Sequence, residues 1–479
     1  MALPQQVPSW TPTQYREEVA KKAAHIPAFQ LLDDFLNQPL RPAGASPTKI
    51  TIVHFHDDRQ PDFQRDVDQE KLQNHIQEST STRLFIVENV GPDTIARLGG
   101  HFAVEPQFFL DHLDNANWFR SGDIEKHLPP LKSVQLASRF IRFRFISPRE
   151  LLLNVPGSLA SDRIESDFLS TRVPRVAGGF NPTERLGAVF APIALPRRYI
   201  SVWFDSSKDK SGWNTGIVLL DPPFRPQKTL GRCQNRSYRA FVPNTDFDTS
   251  YQTSFTNCLE QDDTLMNGGI PAPFVILRDL YRIIASEWVV VNTCFERELN
   301  TIEWCLEKEQ PQLERLDKFL NGLFIIRRRL TLYDIFVQEQ LSSCSIHGRK
   351  YWDRSSSPGE TASVGAVIET LEADFKFVND LVQRNRERIT KNISLLTALI
   401  FVEESRVGIT NGKKLEALTV AATIFLPFSV VSSVMNINGQ FGPGQPKQWV
   451  FWSISIPFSL ILLTLYMLFG RSRSRRPHT

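Results

Sequence analysis

Cysteine is scarce in this chain of 479 residues: Cys233, Cys258, Cys294, Cys305 and Cys344 are odd in number and form no CxxC pair. That excludes a disulfide framework and a zinc ribbon, and scattered thiols suit a reducing compartment. Net charge is almost missing too, with 55 Lys and Arg against 52 Asp and Glu. A protein built to grip nucleic acid carries a strong basic excess, so no nucleic-acid partner is expected. The N-terminus, MALPQQVPSW, lacks a basic stretch followed by an apolar run, and no cleaved signal peptide is expected. Glu17 and Glu18 count against a transit peptide. Long apolar runs do not occur before residue 418.

What is present belongs to an ordered protein. Charged residues make up 22% and aromatics 11%, with 34 Phe, which is unlike a disordered chain. The length suits two or three domains. Residues 1–47 contain Pro and Gln with weak periodicity and read as a partly ordered arm. Short apolar runs at Thr48–Phe55, Arg83–Val90, Phe140–Ile146, Tyr199–Phe204 and Thr215–Leu220 read as strands. IARLGGHFAVEPQFFLDHL, residues 95–113, reads as helix, turn, helix. Residues 48–270 are therefore expected to form a mixed α/β domain.

Helical spacing takes over at Pro273 and runs to a stop at Pro311, with a second segment over 312–346. A polar linker, HGRKYWDRSSSPGE at 347–360, precedes a third. There Val364, Ile368, Leu371, Phe375, Val378, Val382, Asn385, Ile389, Asn392, Leu396 and Leu399 alternate by four and three. Such a seam marks a helix packed lengthwise, either on partner chains as a coiled coil or on neighbours in its own chain. The residues 271–417 are expected to form a long-helix stalk. Gly408 and Asn411–Gly412 are expected to interrupt its periodicity, and GITNGKK departs from a phosphate-binding loop in both glycine spacing and the residue after the Lys.

Two uncharged runs close the chain, Leu418–Val434 and Trp449–Phe469, 17 and 21 residues long. At helical rise they span roughly 26 and 32 Å, against a hydrocarbon core of about 30 Å. They predict a two-helix transmembrane domain over 418–469, followed by a basic tail over 470–479. Trp449, Trp452 and Tyr466 lie where an interfacial aromatic belt would place them. Lys413 and Lys414 precede the first span and four arginines follow the second, whereas the intervening loop has only Lys447. Both termini are therefore expected in the cytosol, in a multi-pass protein of the plasma membrane. Two spans cannot enclose a pathway unaided, so any pore requires several copies.

The stretch EESRVGITNGKKLEALTVAATIFLPFSVVSSVMNI, with its short loop, second span and basic tail, resembles the CorA-type magnesium transporters, in particular their divergent fungal branch. LGGHFAVEPQFFLDHL is similar to a stretch found in such fungal sequences. The resemblance implies an α+β cytosolic domain, long stalk helices and two C-terminal transmembrane helices in a CorA-like funnel. It also implies a homopentamer in a lipid bilayer that carries divalent cations, with Mg2+ as the transported ion and a candidate regulatory ion and no cofactor. The family signature is Gly-Met-Asn at the outer end of the first span. Here Val434-Met435-Asn436 stands nearest, without the Gly. Counting from the IFLP element at Ile424–Pro427, the family's Asn falls eleven residues past the proline, at Asn438, whereas Asn436 is nine past it. The selectivity entrance is thus assigned to Val434, Met435, Asn436 and Asn438, with Asn436 holding the hydrated ion. An amide ring suits an ion that sheds its water reluctantly.

Stepping back from Asn436 by threes and fours places Ser433, Ser429, Leu426, Ala422, Leu418 and Leu415 on one face. This face is the expected pore lining, small or polar outside and apolar further in; the other reading is close helix packing in lipid. One further cluster has catalytic residue types, His54-Phe55-His56-Asp57-Asp58 at the end of an apolar strand. Metal-dependent hydrolases use HxHxD there, but no downstream partner motif completes it, and no enzyme is expected. The alternative to a channel is a non-conducting membrane scaffold or sensor of the same architecture.

Overall fold

The computed structural model describes residues 10–38, 47–56, 59–78, 81–114, 138–151, 193–205, 212–223, 250–262, 270–308, 312–352, 358–436 and 444–474, with short pieces at 131, 133, 172–173, 175, 177–180, 183 and 229–230. The chain divides into two compact units: 1–310 with 319–393, and 311–318 with 394–479.

The first unit is built on a mixed sheet. Its strands are β1 (Lys49–Phe55), β2 (Asp62–Gln64), β3 (Thr82–Glu88), β4 (Phe140–Ile146), β5 (Arg149–Leu151), β6 (Ala177–Phe180), β7 (Ile193–Phe204), β8 (Thr215–Leu220) and β9 (Thr229–Leu230). They run in the order β2-β1-β3-β8-β7-β5-β9, with β4 and β6 also paired to β7. β3 and β8 are parallel, with Phe85 opposite Ile217; the other pairings are antiparallel. Every residue of β3 and β8 is buried, because helices cover both faces.

On one face lie α1 (Pro12–His25), α2 (Gln30–Leu36), α4 (Pro92–His101) and α5 (Pro106–Leu113), with α3 (Gln69–Gln77) beside them. Ile52, Phe85, Val87, Ile217 and Leu219, spaced by two along their strands, share this core with Tyr15, Val19, Leu32 and Phe109. The N-terminal segment, expected as an arm, thus supplies two core helices. Thr11 caps the first in a reciprocal capping box with Gln14. Tyr15 lies fully buried where Gly99 lacks a side chain, and its hydroxyl donates to the Val104 carbonyl at 3.2 Å.

The opposite face carries α6 (Tyr251–Glu260) and the long helix α7 (Arg278–Lys308), which follows a short helical turn at Pro273–Ile276. Gln252 donates to Thr51 Oγ1 and to the Ile86 carbonyl at 3.1 Å each, and Phe143 meets Tyr281 edge-on. At the ends of β7 and β8, Arg175 forks onto the Asp221 carboxylate at 2.8–3.1 Å and donates to the His112 carbonyl. Burial, the largest single influence, would raise the Asp221 carboxyl; the Arg175 guanidinium, with smaller help from His112 and Arg198, holds the group below its ordinary range.

α7 packs against α8 (Leu313–Ile346) and against the first part of α9 (Pro358–Asn436). Trp288 Nε1 donates to Gln340 Oε1 at 2.7 Å, Tyr281 meets Phe375, and Arg386 pairs with Asp334. The heptad seam is therefore filled by the same chain as far as residue 392. Asn385 and Asn392 are both buried, the first against Asn292 and the second against Glu303. This favours the intrachain reading of the seam over an interchain coiled coil for that stretch. The segment read as a polar linker begins as a wide π-helical turn, His347–Tyr351, and Trp352 is buried against Phe204 and Phe274.

In the second unit, α9 continues without interruption through Gly408 and Gly412 to Asn436. The expected break does not occur. A Cβ at either glycine would meet nothing within 4 Å, so their cost is only the roughly 1 kcal/mol helix propensity each forgoes, and the Lys, Leu, Glu and Ala that follow favour helix. α10 (Gln448–Ser474) completes the unit.

Candidate functional site

The apolar part of α9 is the feature to which the sequence assigns function. Among the described residues one helix is long and apolar enough to cross a membrane, within Ser363–Val434, and none of its most apolar 18-residue window is buried. A soluble core helix of the same composition would be covered. α10 is apolar over Gln448–Thr464, a shorter described stretch.

Exposure along α9 has a direction. Val420, Ile424, Phe428 and Val431 are half-buried, and Phe428 packs on Phe451 and Trp452 of α10 at ring distances of 6.4 and 6.1 Å. At about 100° per residue these positions form one stripe. The residues predicted to line a pore, Leu415, Leu418, Ala422, Leu426, Ser429 and Ser433, form another on roughly the opposite side, and all six are exposed. Leu415, Leu418 and Leu426 are 64%, 66% and 62% exposed, values that leave large apolar side chains without cover in a single chain. The two stripes separate because they are half a turn apart in sequence.

The hydroxyls in this helix are satisfied locally. Thr419, Thr423 and Ser433 donate to the carbonyls of Leu415, Thr419 and Ser429 at 2.8–2.9 Å. Back-bonding of this kind lets polar side chains sit in an apolar surrounding without a partner helix. On α10 the covered stripe is Phe451, Ser455, Ser459 and Leu462. Small residues four apart permit close helix approach.

Val434 is 63% exposed near the end of α9, and Met435 and Asn436 are its last two residues. Asn438 lies outside the described residues. The entrance set is thus contiguous with the helix up to Asn436.

The two histidines of the HxHxD cluster take separate partners. His54 is buried, with Nδ1 3.0 Å from Ser81 Oγ, whereas His56 Nε2 accepts from Arg59 at 3.0 Å. Asp57 and Asp58 lie outside the described residues. The structure instead places His54 beside His75, with ring centroids 5.8 Å apart. Sequence spacing gave no hint of that pair, which the strand–helix packing brings together.

No protein-family model matches the chain, and no curated protein matches it by sequence. Among solved structures it is similar to the full-length CmaX protein, with 14% identity and a TM-score of 0.42 over 90% of this chain and 100% of that one. It is also similar to the CorA magnesium transporter from Methanocaldococcus jannaschii, with 11% identity and a TM-score of 0.41 over 88% of this chain and 98% of that one.

Proposed function

We propose that this chain is one subunit of a membrane-embedded homo-oligomer through which divalent cations, magnesium foremost, pass down their electrochemical gradient. The observation that carries the reading is the exposed stripe Leu415–Ser433, turned away from the face that α10 covers. If several copies are arranged around an axis, that stripe lines the passage and the second helix stands outside it. The lining is then serine-rich toward Asn436 and closes on leucine at Leu418 and Leu415, a hydrophobic constriction that gates by excluding water. Val434, Met435, Asn436 and Asn438 form the entrance in this reading, with amide oxygens that hold the ion through its hydration shell. α10 is the second span, and the flanking Lys and Arg put both termini in the cytosol. Five copies in the plasma membrane is the assembly that the sequence resemblance implies.

The step from Gly to Val at 434 favours one rival, a scaffold of the same architecture that no longer conducts. Entry of Mg2+ into sealed vesicles carrying the purified chain separates the two. The channel reading predicts a dye-reported influx driven by a negative interior. Absence of influx from vesicles shown to hold assembled oligomers would leave the scaffold.

A further inference from the structure

We infer that His54, His75 and Glu78 form a transition-metal site in the first unit, remote in chemistry from magnesium transport and suited to zinc. Each residue offers one ligand atom, and the three atoms lie within 4.8 Å of one another. His75 Nδ1 and Glu78 Oε2 are 3.5 Å apart, close to the roughly 3.3–3.5 Å edge of a tetrahedron with zinc bonds of 2.0–2.2 Å. The His54 nitrogen lies within 4.8 Å of both, so closing on a shared ion requires it to move inward.

The two imidazoles have free coordinating nitrogens. His54 is 5% exposed, and its buried Nε2 has no hydrogen-bond partner; the buried Nδ1 of His75 has none either. Leaving such nitrogens unpaired costs free energy, and a shared cation would satisfy both. Ser81 Oγ lies 3.0 Å from His54 Nδ1; in the tautomer with the proton on Nδ1, that proton goes to Ser81 and the Nε2 lone pair is left for a metal. A hydrogen-bonded outer nitrogen is the usual support of a metal-bound histidine.

The surrounding charge is mixed: Arg83, which donates to the His75 carbonyl, opposes a dication, while the carboxylates of Glu78 and Asp62 act on His54 in the opposite sense. His75 and Glu78 sit at the C-terminal end of α3, where the partial negative charge of the helix end favours a cation. Two nitrogens and one oxygen select zinc or cobalt over magnesium, which demands oxygen ligands. Glu78 is half-exposed, which leaves an entry path and a fourth position for water. Bound metal would tie the end of β1 to the end of α3.

The experiment is titration of the chelator-stripped full-length protein with CoCl2 and, in competition, ZnCl2. One cobalt per chain with the visible absorption of a tetrahedral site, displaced by zinc and untouched by millimolar MgCl2, is expected. His75→Ala and Glu78→Gln should each weaken binding by more than about tenfold, and His56→Ala should leave it unchanged. Both of the first two variants alter partly exposed side chains, so they test the site even if His54→Ala fails to fold. Wild-type protein that shows no tetrahedral cobalt spectrum, or equal affinity in His75→Ala and Glu78→Gln, would overturn the assignment.

Discussion

Asn385 on α9 donates its side-chain amide to both oxygens of Asn292 on α7, each at 3.2 Å. A polar residue at a heptad seam commonly fixes the register of separate chains. Here its partner lies in the same chain, and Asn292 in turn donates to the Trp288 carbonyl at 2.9 Å. Replacement of Asn385 by Leu strands the side-chain oxygen Oδ1 of Asn292 in a buried site, and a loss of about 1–3 kcal/mol is expected. The midpoint of chemical unfolding should fall while the subunit count by light scattering stays the same. A change in subunit count would show that the seam joins chains.

The stripe on α9 makes a directional prediction. Single cysteines at Ser429 and Ser433 should react with a charged, water-soluble thiol reagent, and the adduct should block cation influx. Cysteine at Ile424, on the face that α10 covers, should stay unreactive under the same conditions. Cys258, which is only partly buried, and Cys233 are first replaced by Ser; buried Cys294, Cys305 and Cys344 then give little background. Equal labelling at 424 and 429 would contradict the proposed lining.

The entrance is open to a simple substitution test. Asn436→Ala or Asn438→Ala should reduce magnesium influx in vesicles, whichever of the two faces the ion. Unchanged influx in both single variants and in the double variant would remove the amide ring from the mechanism.

Acid should weaken the first unit through His112. Burial, then the nearby Arg175 guanidinium, press this imidazole from 6.5 down to about 3, while Asp221 pulls the other way. The folded state therefore binds its proton less readily than the unfolded chain. The stabilising contribution is whole above pH 6.5 and is lost steadily as pH falls toward 3. His112→Gln should flatten the slope of unfolding free energy in that window; an unaltered slope would count against this source.

Gly99→Ala probes the N-terminal helices. An added Cβ would sit 2.5 Å from the Tyr15 ring, and the core must shift to admit it. Overpacking of this sort costs about 1–3 kcal/mol. Calorimetry should show a lower transition temperature for the variant, whereas a detached N-terminal arm would show none.

Much of this fold can be read from the sequence where one pattern dominates. β4 and β8 fall at the residues their apolar runs mark, Phe140–Ile146 and Thr215–Leu220. The seam residues from Val364 to Leu396 are all buried, as their spacing implies. The failures have physical causes. α1 buries only Tyr15, Val19 and Ala23, a stripe so narrow that its polar remainder reads as an arm; the Thr11–Gln14 capping box was the available signal. Trp352 sits among polar residues, and nothing local announces its pocket. Gly408 and Gly412 look like breakers because local propensity ignores the strong helix formers on either side. His54 and His75 are joined only by packing between β1 and α3, which no spacing rule can anticipate. The stripe proposed as a lining is legible as a periodicity, yet its orientation away from α10 depends on how the two helices pack.

The central place of β8 bears on how the protein is made. β8 lies between β3 and β7, so the early hairpin of β1 and β3 has an open hydrogen-bonding edge until residues 215–220 leave the ribosome. For that whole interval of synthesis a flat, apolar strand border is available to the wrong neighbour, the condition under which nascent chains clump. Slow translation ahead of β8 should therefore increase dependence on chaperones, and faster delivery of that strand should relieve it.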